Sequence, residues 1–218
     1  MIIQGQVQAP PPLSATDGNN YAALQGKQLE LIVSELTGKY YTQTLRGNTF
    51  IGATASAGVV PPIFSNTAQT FGIWNPSGSG KNIVPVNLKV GLVTVGVVTD
   101  NFALAVTLNA GSQQATGSPI TAGTFVAPVN ALLGSGTASI SKFAPATITA
   151  GAAPTYLKPT GISNFMAATP AAANNFWQLG EDYDGSLIIP PGVVLYVCNN
   201  IAGVATWNIC MTWVEIPI

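Results

Sequence analysis

The residues best able to do chemistry in this chain are few, and each set falls short of a site. Ser77-Gly78-Ser79-Gly80-Lys81-Asn82 resembles a phosphate loop. A Walker A motif needs Gly where Asn75 stands, Ser or Thr where Asn82 stands, and a following helix that aims its amides at phosphate. A Val-rich strand is expected there instead, so the segment reads as a strand connection with a solvated Lys81. Glu181, Asp182 and Asp184 form the one acidic cluster. Three carboxylates on one loop are too few for Ca²⁺, so a solvated turn is preferred to a cation site. Paired carboxylates for glycoside hydrolysis need two acids facing across a cleft, and nothing places Glu30, Glu35 or Glu215 opposite that cluster. Ser141-Lys142 and Ser79-Gly80-Lys81 are too common to mark a nucleophile. Zinc would have only Cys198, Cys210 and carboxylates to draw on. No catalytic residue, cofactor or metal is expected.

Composition points the same way. The 218 residues include no His, which removes the side chain most used for proton transfer and metal binding. Only 7% are charged, where ordinary globular domains carry about a quarter. A surface of Thr, Ser, Asn, Gln, Gly and Ala suits a subunit covered by neighbours. The net charge of −1 provides little self-repulsion, and the seven scattered basic residues leave no footprint for nucleic acid. Mean hydropathy is high, at +0.37, yet Pro190-Pro191-Gly192 breaks the best apolar run, Leu187 to Cys198, so no membrane span is expected. Met1-Ile2-Ile3-Gln4 lacks a basic leader, which reads as a soluble, unexported chain made in a cytosol. In that reducing setting Cys198 and Cys210, on what read as adjacent strands, are expected as buried free thiols rather than a disulfide.

The elements that must position these residues are strands. Residues 1–28 read as an extended arm, with polyproline at Pro10-Pro11-Pro12 and turn chemistry at Asp17-Gly18-Asn19-Asn20. The arm packs either on a neighbouring subunit or on its own domain. From residue 29 to 218 the pattern is that of an all-β sandwich with a low-complexity insertion at about 112–175. Strands are expected at Gln28–Val33, Tyr40–Leu45, Thr49–Thr54, Thr70–Trp74, Asn82–Thr99, Phe102–Leu108 and Phe176–Leu179. Shorter ones are expected at Thr124–Val126, Thr137–Phe143, Thr147–Thr149 and Ser186–Ile189. Pro85 implies an edge or a bulge. Val193–Cys198 and Thr206–Ile216 read as a long hairpin. On its last strand Trp207, Ile209, Met211, Trp213 and Glu215 share one face, and the other face is also partly apolar. Such a strand is either central in a sandwich or packed on another subunit. Trp207, Met211 and Trp213 are therefore candidate subunit-interface residues, together with Pro10, Pro11 and Pro12. A carbohydrate platform of Trp207 and Trp213, joined by Trp74 and Trp177, is the less favoured use of these rings.

Three segments resemble tailed-bacteriophage structural proteins. Gly38-Lys39-Tyr40-Tyr41 through Arg46-Gly47-Asn48-Thr49-Phe50 fits G-[KR]-Y-Y-x(4)-R-G-N-x-F. Asn75 to Asn82 is similar to the NP-x-GSGKN stretch that tends to follow it. The chain closes on W-x-E-x-P, Trp213 to Pro217, after the Pro-Pro-Gly at Pro190 to Gly192. The resemblance implies a jelly-roll virion protein, a capsid decoration or cement protein attached to the head and often trimeric. Its partners would be copies of itself and the phage major capsid protein. A tail-fibre or adhesin receptor-binding module, and a jelly-roll major or minor capsid protein, are the alternatives.

Overall fold

The computed structural model describes residues 38–64, 68–96, 100–107, 120–150, 154–163 and 178–218. The arm with Pro10, Pro11 and Pro12, the expected strand Gln28–Val33, and Trp177 lie outside the described residues. One compact unit spans Thr42–Ile218.

Tyr40–Leu45, expected as a strand, is instead the one-turn helix α1, Tyr41–Leu45. Arg46 and Asn48 donate backbone hydrogen bonds to Thr42 and Gln43, and Gly47 ends the turn at φ 72°. Glycine adopts that left-handed conformation without a Cβ penalty. The neighbouring strand leaves no edge for this segment, because both its sides are already paired.

That strand is β1, Thr49–Ala53; β2 (Ala68–Trp74), β3 (Lys81–Thr94) and β4 (Asp100–Thr107) follow. Next come β5 (Ile120–Ala122), β6 (Val129–Asn130), β7 (Lys142–Ala150) and β8 (Thr155–Ser163). The last three are β9 (Gln178–Asp182), β10 (Val194–Asn199) and β11 (Thr206–Pro217). They form two antiparallel sheets, β6-β1-β11-β3-β9 and β5-β7-β2-β10-β4-β8. The pairing is nested: β1 with β11, β2 with β10, β3 with β9 and β4 with β8. A long antiparallel ribbon rolled on itself gives this order, and the result is a jelly roll. The segment between β4 and β8 adds β6 beside β1 and β7 beside β2.

The hairpin expected from β10 and β11 does not form. β10 pairs with β2 and β4, whereas β11 pairs with β1 and β3 in the other sheet. Residues 200–205 therefore cross between sheets. Cys198 and Cys210 fall in different sheets and are free thiols. Ser186–Ile189 forms no strand; Ile189 makes a single bridge to Ile83. Pro85 meets both of its expectations. The register shifts opposite it, at Thr212/Trp213, and β9 reaches only as far as Asn87, so Pro85 faces no partner on that side.

Alternation places Phe102, Leu104 and Val106 of β4, Leu195 and Val197 of β10, and Trp207, Ile209, Met211 and Trp213 of β11 in one core between the sheets. On β10 the opposite set, Val194, Tyr196 and Cys198, is also fully buried, in a second cluster with Ala103, Ala105, Ala144 and Ile148. Burial raises the pKa of the Cys198 thiol to about 12, which keeps it protonated and unreactive.

Candidate interface at one end of the sandwich

Trp207, Met211 and Trp213 are not on a subunit surface. All three side chains are 0% exposed, within the core of their own subunit. Trp207 stacks edge-on against Phe102 at 5.0 Å, and Trp213 lies 6.1 Å from Phe143. Each buried indole contributes on the order of 4–6 kcal/mol of hydrophobic stabilisation as an upper bound, and the fold uses that area internally. Neither ring is available to a neighbour or to a sugar.

The phosphate-loop lookalike is a structural turn. Asn75 is fully buried and its Nδ2 donates to the carbonyls of Lys81 and Ile189, both at 2.8 Å. Its Oδ1 accepts from Ser79 Oγ at 2.7 Å. Gly192 N–H donates to the Asn75 carbonyl at 2.6 Å, joining this turn to Pro190-Pro191-Gly192. Gly78 and Gly80, at φ 75° and 69°, permit the tight path. The residue that spoils the Walker pattern, Asn75, is thus the one that builds the turn.

Glu215 is also 0% exposed. It accepts from Ser139 Oγ, from Ile140 N–H at 3.1 Å, and from Lys81 Nζ at 3.4 Å. Its backbone N–H donates to the Asn48 carbonyl, and Ile218 N–H donates to Gly80. The segments 38–50, 75–82 and 213–217 therefore meet around Asn75 and Glu215, at the end of the sandwich where β3 begins and β11 stops.

The acidic cluster is divided among lysines. Glu181 pairs with Lys158, and Asp182 with Lys89 at 3.2 Å. Successive residues of β9 point to opposite faces, which separates the first two carboxylates. Asp184, at φ 48°, and Gly185 make the turn after the strand. Among the described residues no group of three or more His, Cys, Asp or Glu is placed to hold a metal ion.

The opposite end carries a different surface. There β1, β3, β8 and β10 stop, and β2, β4, β9 and β11 start, and the described connecting residues are 54–64, 95–96 and 200–205. None of these is Asp, Glu, Lys or Arg. The described loops are zipped to one another. Val59 and Trp207 exchange both backbone hydrogen bonds, at 2.8 and 2.9 Å. Phe64 N–H donates to Asn199 and Asn199 N–H to Pro62, at 2.6 and 3.1 Å. A Cβ at Gly58 would sit 3.0 Å from Val93 Cγ2, and one at Gly96 would sit 2.8 Å from the Ala205 backbone nitrogen. On this scaffold Val60, Ile63, Val93, Val95, Ile201 and Val204 are exposed. Asp100, at the start of β4, is turned inward and is 0% exposed. It accepts from Asn199 Nδ2 and, at 2.9 Å, from Trp207 Nε1. Desolvation raises its pKa above the ordinary carboxylate value, against the lowering effect of those hydrogen bonds.

Sequence reasoning missed this surface. Its signal, uncharged residues at 54–64, 95–96 and 200–205, is scattered along the chain, and only the jelly-roll order brings alternate connections to one end.

No family model matches the chain, and no curated protein matches it. Among solved structures, a chain of the "KBV activated particle at acidic pH" is similar at 12% identity and a TM-score of 0.21, the match covering 99% of this chain and 83% of that one. A TM-score of 0.21 carries no argument about fold or function.

Proposed function

We propose that this chain is a non-enzymatic structural protein of a tailed-phage virion, a capsid decoration or cement protein that binds the head surface and stabilises it. The observation that carries the reading is the set of uncharged described loops at one end of the jelly roll, where Val60, Ile63, Val93, Val95, Ile201 and Val204 are exposed. Large exposed apolar patches mark surfaces built to be covered, and these six exposed apolar side chains stand at the same end. The uncharged composition and the resemblance of the Asn75 and Glu215 segments to phage structural proteins support the same reading. The chain would act as a homo-oligomer, with a trimer favoured, and its other partner would be the major capsid protein. Jelly rolls also build shells themselves, so the nested topology equally suits a major or minor capsid protein.

Quantifying the protein in purified particles tests this. Decoration requires a regular copy number below or equal to that of a separate shell protein. A particle whose shell contains no other abundant protein would assign this chain to the shell. Deleting residues 2–20 tests the arm: occupancy on heads is expected to fall while the melting temperature of the isolated protein stays unchanged.

A further inference from the structure

We infer that the Lys158–Glu181 ion pair bars a further strand from adding to one side of the sandwich, and so keeps that side out of any assembly this chain makes. The inference goes beyond the virion reading and does not depend on it. Among the described residues β8 pairs only with β4 and β9 only with β3, so these two are the outer strands of their sheets. They lie in contact with each other on the same side of the sandwich. An outer strand offers unpaired backbone groups to any other strand, including one from a second copy.

Register fixes where the pair points. Lys158 stands opposite Leu104 and Glu181 opposite Leu88, and both leucines belong to the core between the sheets. Directly opposed residues share a face, so Lys158 and Glu181 project inward, at positions where the pattern calls for apolar side chains. They pair across the gap between the sheets, and the Lys158 ammonium lies 5.0 Å from the ring centroid of buried Tyr183. The two side chains are 35% and 28% exposed, so water still reaches both. A strand laid along β8 or β9 would remove that water, and desolvating two charges is costly. Inward-pointing charges at an edge are one way that sheets resist edge-to-edge pairing. β8 adds two shifts of register and Pro159, which further spoil it as a template. On the opposite side the outer described strands, β6 and β5, are two and three residues long, too short to template a partner.

Sedimentation velocity of the full-length chain over a range of concentrations tests the inference. Lys158→Met/Glu181→Met exchanges the pair for apolar side chains of similar length, a change that is often neutral or stabilising. This variant is expected to melt at or above the wild-type temperature and yet to form species larger than the wild type, growing with concentration. Lys158→Leu/Glu181→Leu repeats the test with different packing, should the first variant fail to fold. Lys158→Met alone leaves the Glu181 charge on the edge, so it is expected to melt lower and keep the wild-type size. Lys89→Met/Asp182→Met removes the outward pair beside the same strand, 43% and 66% exposed, and is expected to keep the wild-type size too. Amide hydrogen exchange across 155–163 and 178–182 is expected to slow in the larger species. Double variants that sediment like the wild type at every concentration overturn the inference. So does association that follows loss of stability, as strong in Lys158→Met as in the doubles. Equal association of Lys89→Met/Asp182→Met, or larger species with unchanged exchange in β8 and β9, would assign the contact to another surface and overturn it as well.

Discussion

The indole Nε1 of Trp207, on β11, donates a 2.9 Å hydrogen bond to Oδ2 of Asp100, on β4, and so joins the two sheets beneath the uncharged end. Trp213, six residues further along the same face, makes no such bond; its Nε1 has no partner among the described residues. The two rings are buried alike and bonded differently, and that difference is measurable. Trp207→Phe leaves a buried carboxylate short of a donor, a loss of about 1.5–3 kcal/mol beyond the packing change. Trp213→Phe is expected to cost only packing. Chemical denaturation of the two variants reads the difference directly, and equal losses would remove the special role of the Asp100 bond.

Asp100 also sets a pH dependence. Its folded pKa is raised above 3.8 by desolvation, so the folded state holds the proton more tightly than the unfolded chain. The stabilisation from protonated Asp100 is complete below about 3.8 and is lost as pH rises through the folded value. Relative to Asp100→Asn, which does not titrate, the wild type should gain stability as pH falls from neutral toward 3.8. A stability difference that is flat with pH, or of opposite slope, contradicts the burial described for this carboxylate.

Glu215 and Lys81 are unequal partners. Glu215 is 0% exposed and also serves Ser139 and Ile140, whereas the Lys81 side chain is 25% exposed. Glu215→Ala strands several donors around a buried site and is expected to cost about 3–5 kcal/mol. Lys81→Ala leaves those other donors in place, and its ammonium is partly solvated, so about 1 kcal/mol or less is expected. Thermal melts of both variants would show the order, and a larger loss for Lys81→Ala would reverse this account of the site.

Gly52 shows how closely β1 lies on the core. A Cβ there would sit 2.9 Å from both Trp213 Cη2 and Phe143 Cε2. Gly52→Ala is therefore expected to destabilise by about 1–3 kcal/mol through overpacking. Gly78→Ala meets no atom within 4 Å, yet its φ of 75° brings a backbone penalty of its own, about 1–2 kcal/mol. Pairing each change with Phe143→Leu separates the two causes, because relieving the ring contact should rescue only Gly52→Ala.

Local pattern made the strands of the sandwich readable where one face is large and the other small. On β4 the alternation of Phe102, Leu104 and Val106 with Ala103 and Ala105 states both the strand and its inner face. β8 was hidden because Pro159 and Gly161 mimic loop chemistry, and an edge strand paired only to β4 tolerates both. The β-forming residues Tyr41 and Thr42 yield a helix because tertiary pairing left them no edge. The shared face of Trp207, Met211 and Trp213 was legible, but not whether that face turned inward, since β11 carries apolar residues on both sides. The six residues between β10 and β11 look like a hairpin loop, and nothing local tells that they change sheets. The interface candidate depended on that same crossing: the uncharged loops become one surface only when the nested order is known.

Labelling native particles with a gold-tagged antibody to this protein, viewed by electron microscopy, tests the central claim most directly. Dense, regular label over the head is the result expected of a decoration or cement protein. Label confined to the tail tip, or to no particle at all, would contradict it.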